Sequence, residues 1–441
     1  MSLSEKPLSI ALMVWKHLVL GDPFRSQVSK RRPDLSNASW STEIVFLPDQ
    51  IRALKDEASS LFRDLPDTLQ PDFFLAALEW YRGPCVAVVR LMGEIVGVIY
   101  GWEMRFQGSP SGYVFIDDSL ELAVASTDKY RASVLKIAAS SLLSCRRIGA
   151  LRMTLARDNP DIGTIREVAS AYSMQRFEEL RELHPILPLP SSYEAFERTL
   201  GSRTRKHIRQ YRSYSQNENH CYVRNMDISE FRTAVATLSR RTKFSLPDDE
   251  VQRLLRMASE VTSEKRMLAG LRTQEGRWIA VVMGWKELGR GVLVDQFNDE
   301  RRCAQNNGDE THMKSISMSM LLRSYVIEQL IEEGFQTLWI YGATGGFLTR
   351  YTKRLKGVTI YLDRSTILWR AVRAIARFAR RHLRKEIADK LEWINPPAGL
   401  AMSAMDLKST TITFLPAVPG TGAESADDMA EVSGRTERSN R

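Results

Sequence analysis

The chain has few of the residues that build metal or disulfide sites. Its four cysteines, Cys85, Cys145, Cys221 and Cys303, are far apart, with no C-x-x-C and no pair at zinc-ligand spacing. They read as plain thiols of a reducing compartment, which points to the cytoplasm. The six histidines are equally scattered, so no metal is expected. The apolar stretch Leu8–Leu20 is too short to span a bilayer and is interrupted by Lys16 and His17. It also lacks the basic start and small-residue cleavage site of a secretory signal. It reads as an amphipathic helix packed on the protein.

What is present is an ordinary globular mixture with a basic balance. Of 441 residues, 43% are hydrophobic and 26% charged, and the formal net charge is +9. Such a length suits two or three domains, each able to bury a core. A basic surface favours anionic partners: phosphorylated cofactors, nucleic acid or an acidic membrane leaflet.

Four segments follow from the pattern. Residues 1–42 are the N-terminal helix and a polar, basic linker. Residues 43–190 and 191–395 each alternate helices and strands. Residues 396–441 are rich in Pro, Gly, Ser and acids and cannot bury enough apolar area to order themselves, apart from one short strand at Thr410–Leu415. The first half reads as helices over Ile51–Leu61 and Phe73–Tyr81, a hairpin turning at Met92-Gly93, a long strand Tyr113–Ser126 and a helix Lys129–Ile148. A strand Leu151–Ala156, a helix near Ile162–Tyr172 and a last strand complete it. The second half repeats the order: helices Ile228–Thr242 and Asp248–Ser263, a hairpin turning at Glu275-Gly276 and the strand GRGVLVDQFN. A long helix Met313–Glu333, the strand FQTLWIYGAT, a short helix Gly346–Leu355 and the strand VTIYLD follow.

Two stretches of the first half, LELAVASTDKYRASVLKIAASSLL and ALRMTLARDNPDIGTIREVASAYSMQRFEE, resemble the second part of a GNAT acyltransferase domain, with Asn159, Tyr172 and Phe177 in matching places. In the second half, LGSRTRKHIRQYRSYSQN, DQFNDE and YGATGGFLTRYTKRL resemble the CelD-like acetyltransferases of cellulose and exopolysaccharide synthesis and, more distantly, the Fem-type aminoacyltransferases. The resemblance implies an α/β (α+β) protein of two tandem GNAT-like domains, each a mixed, mostly antiparallel sheet flanked by helices. It implies an N-acyltransferase that uses acetyl-CoA or another acyl-CoA, without metal. The acceptor is a small-molecule amine, an amino sugar of envelope or exopolysaccharide metabolism being the leading candidate.

The family carries glycines before its long helix, where backbone N–H groups approach a pyrophosphate. The first half has Lys129, Tyr130, Arg131, Ala132 and Ser133 there, so its cofactor site is expected to be degenerate. In the second half the place is CAQNNGDETHMKS, where Asn307 and Gly308 permit unusual backbone angles and Ser315 supplies a donor. That makes these three residues, with Gly345 and Gly346 beyond the next strand, the cofactor-binding candidates. Asp295, a carboxylate among apolar neighbours, is the candidate base, and a cap or salt-bridge role is the competing reading. Tyr351 takes the role of general acid by resemblance, against simple packing. Arg350 and Lys353 are candidate grips for an anionic acceptor, against a solvated helix face.

Two basic segments remain. Arg203, Arg205, Lys206, Arg209 and Arg212 lie on one stretch, and residues 365–391 form an arginine-rich amphipathic helix that either docks on the protein or lies on an anionic inner membrane. They keep two alternatives in view: a Fem-type transferase using aminoacyl-tRNA, the one reading in which nucleic acid is a partner, and a catalytically degenerate scaffold at the membrane.

Overall fold

A computed structural model describes residues 39–79, 81–106, 109–171, 175–240, 246–299, 317–341 and 347–363. The helix expected over Leu8–Leu20, Tyr172, the strand Thr410–Leu415, the amphipathic helix of 365–391 and the C-terminal tail lie outside these residues.

The chain begins with β1 (Trp40–Val45), then α1 (Pro48–Glu57), α2 (Ser59–Arg63) and α3 (Pro71–Ala77). Pro48 and Pro71 start their helices, where a missing N–H costs nothing. β2 (Arg82–Leu91) and β3 (Glu94–Phe106) form the first hairpin. Its turn residues Met92 and Gly93 have φ of 54° and 91°, as a tight two-residue turn requires. β4 (Ser109–Asp117) and the short β5 (Val124–Ser126) both pair with β3. The sequence suggested one long strand over Tyr113–Ser126; carboxylates break it instead. Asp117 Oδ1 accepts the Ser119 N–H at 3.0 Å and Asp118 Oδ1 the Ala123 N–H at 2.9 Å, which bends the chain between the strands. α4 (Asp128–Ser144), β6 (Ala150–Ala156), α5 (Asp161–Ala171) and β7 (Gln175–Pro188) follow.

The second half opens with α6 (Tyr193–Thr199), α7 (Ser202–Asn217), β8 (Cys221–Val223), α8 (Ile228–Leu238) and α9 (Asp248–Glu260). β9 (Arg266–Arg272), β10 (Trp278–Glu287) and β11 (Arg290–Asn298) run antiparallel in turn. α10 (Met318–Glu332) then crosses over to β12 (Thr337–Ile340), and β13 (Lys353–Asp363) ends the described chain.

All thirteen strands belong to one mixed, mostly antiparallel sheet in the order β1-β2-β3-β4-β6-β13-β7-β12-β11-β10-β9-β8, with β5 on β3. Each half repeats one plan: antiparallel strands, a crossover helix and a parallel strand, β4–α4–β6 and β11–α10–β12. In the first half α4 and α5 cover one face through Leu135, Leu142 and Ile165, while α1 and α2 cover the other through Ile51 and Phe62. In the second half α10 lies on one face with Leu321, Val326 and Leu330, and α8 and α9 lie opposite with Phe231, Leu254 and Leu255. Phe73 of α3 joins that last cluster, edge-on to Trp285 of β10 at 5.3 Å, so the halves share a core.

β13 departs from the sequence reading. The short helix expected over Gly346–Leu355 is a single 3-10 turn, Phe347–Arg350, and from Lys353 the chain is already strand. Pairing of Lys353 with Ile186 and Arg354 with Pro185 overrides local propensity. β13 also leaves its own half. It lies between β6 and β7, and Val358, Ile360 and Leu362 complete the core beneath α4.

Gly284 of β10 marks an irregularity that matters below. Met283 faces Asp295 but Gly284 faces Leu293, so Val294 is an extra residue on β11, a β-bulge. A Cβ on Gly284 would stand 2.0 Å from the Val292 carbonyl oxygen, which belongs to backbone and cannot swing away. Gly284→Ala is therefore expected to cost about 1–3 kcal/mol in urea unfolding, the range for overpacking a core. Wild-type stability in that variant would show that the bulge is not held by this close approach.

Candidate active site

The two parallel strand pairs end differently. In the first half β4 and β6 are paired from Tyr113/Ala150 to Asp117/Thr154, and the Asp118 N–H extends the ladder to the Thr154 carbonyl at 2.9 Å. Arg131, in the first turn of α4, closes that end. Its guanidinium bridges Asp118 at 2.7 Å and Asp161 at 2.8 Å, both carboxylates being buried. In the second half the pairing runs only from Arg290/Thr337 to Leu293/Ile340, with a last bond from the Tyr341 N–H to the Leu293 carbonyl at 2.7 Å. Beyond it β11 continues to Asn298 against β10, with no strand on its other side among the described residues. The described pairing thus stops at the strands' carboxyl ends, a parting at the place where open α/β sheets bind ligands.

The bulge decides what lines this parting. Leu293 packs with the α10 core, and Gln296, three residues on, accepts a hydrogen bond from Arg323 of α10 at 2.8 Å. In a regular strand residues three apart face opposite ways; the extra residue at Val294 brings them to one side. Asp295 is carried to the mouth of the parting. Its Oδ1 accepts the Gln296 N–H at 2.7 Å. Burial pushes its carboxyl up to about 6, the nearby Glu250 acting in the same direction, while the Gln296 N–H, Arg253 and Arg323 pull the other way.

Tyr341 directly follows β12, where the described pairing stops. Its ring stacks on His184 of β7 at 5.0 Å, and the His184 Nε2 meets the Ser119 hydroxyl at 3.1 Å. The Tyr341 hydroxyl makes no hydrogen bond among the described residues, and burial raises its pKa, so it stays protonated at neutral pH. Charged groups from both halves surround it: Asp117, Arg253, Arg82 and Glu79 all bear on its ionisation. Arg82 pairs with Glu79 at 2.9 Å and lies 3.8 Å over the Trp102 ring. Arg253 is gripped by Glu250 and donates to the Ala77 carbonyl at 3.2 Å. The Glu79 Oε2 and the Arg82 Nε have no hydrogen-bond partner among the described residues. Asp117 is exposed. The result is a cluster of polar groups drawn from β2, β7, α9, the segment after α3 and the end of β12.

No family model matches this chain, and no curated protein matches it. Several solved structures resemble it in chain trace. One is FemX, at 9% identity, covering 75% of this chain and 99% of that one with a TM-score of 0.48. L-PGS from Bacillus licheniformis aligns at 12% identity over 66% of this chain and 87% of its own, with a TM-score of 0.41. A tandem GNAT protein from the clavulanic acid biosynthesis pathway aligns at 10% identity, covering 73% and 98%, with a TM-score of 0.36.

Of the residues singled out from the sequence, Asp295 lies at the parting. Tyr351 lies at the start of α7, where its hydroxyl accepts the Gly201 N–H at 3.0 Å and hydrogen-bonds the Thr204 hydroxyl at 3.1 Å. Arg350 and Lys353 are exposed, at the end of the 3-10 turn and the start of β13. Asn307, Gly308, Ser315, Gly345 and Gly346 lie outside the described residues. Among the described residues no group of His, Cys, Asp or Glu is placed to hold a metal, and no helix is long and apolar enough to cross a membrane. Sequence reasoning passed over Arg323, although an arginine inside the apolar run MSMLLRSYVIEQLIE is a visible signal.

The basic residues of α7 serve largely to hold the fold. Arg205 donates to the Leu200 carbonyl at 3.0 Å and Arg209 pairs with Glu197 at 2.6 Å. Arg212 pairs with Glu328 of α10 at 2.9 Å, its guanidinium between the Tyr193 and Tyr325 rings. Arg203 and Lys206 are exposed, as is Arg209 despite its pairing.

Proposed function

We propose that this chain transfers an acyl group from an acyl-CoA thioester to a small polar amine, such as an amino sugar, at the parting of β11 and β12. The observation that carries the reading is the parallel pair β11–β12, whose described pairing stops while β11 runs on to a carboxyl raised by burial to about 6. The edge of β11 beyond Leu293 offers backbone groups that an amide-bearing pantetheine arm can pair with, as an added strand does. The thioester supplies the activated carbonyl.

The amine binds beside Tyr341, where the paired acids and arginines suit a hydroxyl-rich acceptor better than a hydrocarbon one. Asp295 takes the proton that the nitrogen loses as the carbon–nitrogen bond forms. As the carbon–sulfur bond breaks, the departing thiolate takes a proton from Tyr341, whose hydroxyl is uncommitted, rather than from Tyr351, whose hydroxyl is engaged at the start of α7. Against an aminoacyl-tRNA donor, Arg205 and Arg212 are engaged within the protein and Arg209 is paired with Glu197 at the surface, which leaves Arg203 and Lys206 as the cations of α7 uncommitted among the described residues for an RNA backbone.

Titration calorimetry with acetyl-CoA tests the donor, and release of free thiol with glucosamine as acceptor tests the reaction. Saturable heat that unacylated CoA competes away is the expected result. Absence of heat with acetyl-CoA and longer acyl-CoAs alike would overturn the reading.

A further inference from the structure

We propose that Arg323 is the receptor for a carboxylate carried by the substrate at the parting of β11 and β12. The proposal rests on the acyl-transfer reading for its location, and on the arginine itself for its chemistry.

Arg253, Arg290 and Arg323 are the most buried arginines among the described residues, at 5%, 6% and 8% exposed. The first two are paired: Arg253 with Glu250, and Arg290 with Glu121 at 3.2 Å and the Leu120 carbonyl at 2.8 Å. Arg323 has no such partner among the described residues. Its Nε donates to the Gln296 Oε1 at 2.8 Å, and neither Nη group hydrogen-bonds to any described residue. Gln296 is itself fixed, its Nε2 donating to the Asn298 Oδ1 at 2.9 Å while the Ser319 hydroxyl approaches the same Oε1 at 3.4 Å. The guanidinium is thus held by one edge against a β11 side chain that has no neighbouring strand among the described residues, and its Nη groups are uncommitted there. Among the described residues Asp295 is the one acid that bears on Arg323, yet no ion pair within 4.0 Å joins them.

A guanidinium withdrawn from water without a counter-charge is unfavourable, and an apolar residue would pack at this place in α10 without that penalty. Burial lowers the pKa of Arg323 to about 10, so the group remains a cation at neutral pH. A neutral carbonyl could accept one hydrogen bond but would leave the charge uncompensated. A carboxylate supplies both the charge and two oxygens spaced for a planar fork. Two sources carry that chemistry: a dicarboxylic acyl group on the thioester, or an amino acid as the amine.

Calorimetry on the full chain separates them with two matched pairs, succinyl-CoA against acetyl-CoA and β-alanine against ethylamine. In the pair that contains the natural source, the carboxylate-bearing member is expected to bind roughly ten- to a hundredfold more tightly, the span for hydrogen bonds to charged groups. Arg323→Met is expected to erase that preference and Arg323→Lys to retain part of it. No preference in either pair, or a preference that survives Arg323→Met, overturns the proposal. If neither thioester binds, the acyl-transfer reading falls and the β-alanine pair alone decides the role of Arg323. Should the variants fail to fold by circular dichroism, the wild-type comparison decides it.

Discussion

Asp295→Asn is expected to slow acyl transfer by roughly a hundred- to ten-thousandfold, the usual contribution of a positioned general base, while the thioester still binds. The amide keeps the size of the side chain and can still accept the Gln296 N–H, so the bulge is undisturbed. What disappears is the ability to take a proton. The pH dependence gives a second handle. A base works in its deprotonated form, so kcat/KM should rise with pH through the Asp295 value of about 6 and then level off. The variant should lack that limb. The sign for stability is the opposite: a carboxyl raised on folding binds its proton more tightly in the native state, so its favourable contribution is present at acid pH and is lost as pH rises through about 6. Asp295→Asn should accordingly not destabilise the fold at neutral pH. A variant with full rate, or one that keeps the limb, would remove Asp295 from the mechanism.

Arg131→Met is expected to cost about 3–5 kcal/mol in urea unfolding, because it leaves two buried carboxylates without their cation. Asp118 is wholly enclosed and Asp161 nearly so, at 0% and 5% side-chain exposure. The same variant should bind acetyl-CoA as the wild type does, since Arg131 closes the first strand pair and takes no part in the second. The opposite pattern, unchanged stability with weakened thioester binding, would mean that the donor lies in the first half. Together the two variants separate a part of the molecule that performs chemistry from a part that supports it.

Local chemistry was readable from the chain; long-range pairing was not. Both hairpin turns follow from glycines at positive φ, and Asp295 stood out as a lone carboxylate among Val292, Leu293 and Val294. The bulge that orients Asp295 has no local signature, because it depends on the close approach of Gly284 to the Val292 carbonyl across the strand pair. The choice between Tyr341 and Tyr351 depends on which hydroxyl is already engaged, and the partner of Tyr351 is Gly201, some 150 positions away. The helix expected after β12 failed for a similar reason: the pairing of Lys353 with Ile186 is invisible to propensity. The arginines of α7 were equally ambiguous until their carboxylate partners Glu197 and Glu328 were located.

The placement of β13 also sets a timetable for biosynthesis. As the chain leaves the ribosome, β6 and β7 are complete long before the strand that separates them exists, so the first half waits with a gap through its sheet. Two unpaired strand edges and the core beneath α4 stay open for that interval, a state prone to mispairing with other chains. Closure comes when residues 353–363 thread into the gap, after the second half has been made. A gene divided between α6 and α7 would therefore yield two fragments that each need the other to become soluble, and co-expression should succeed where separate expression fails.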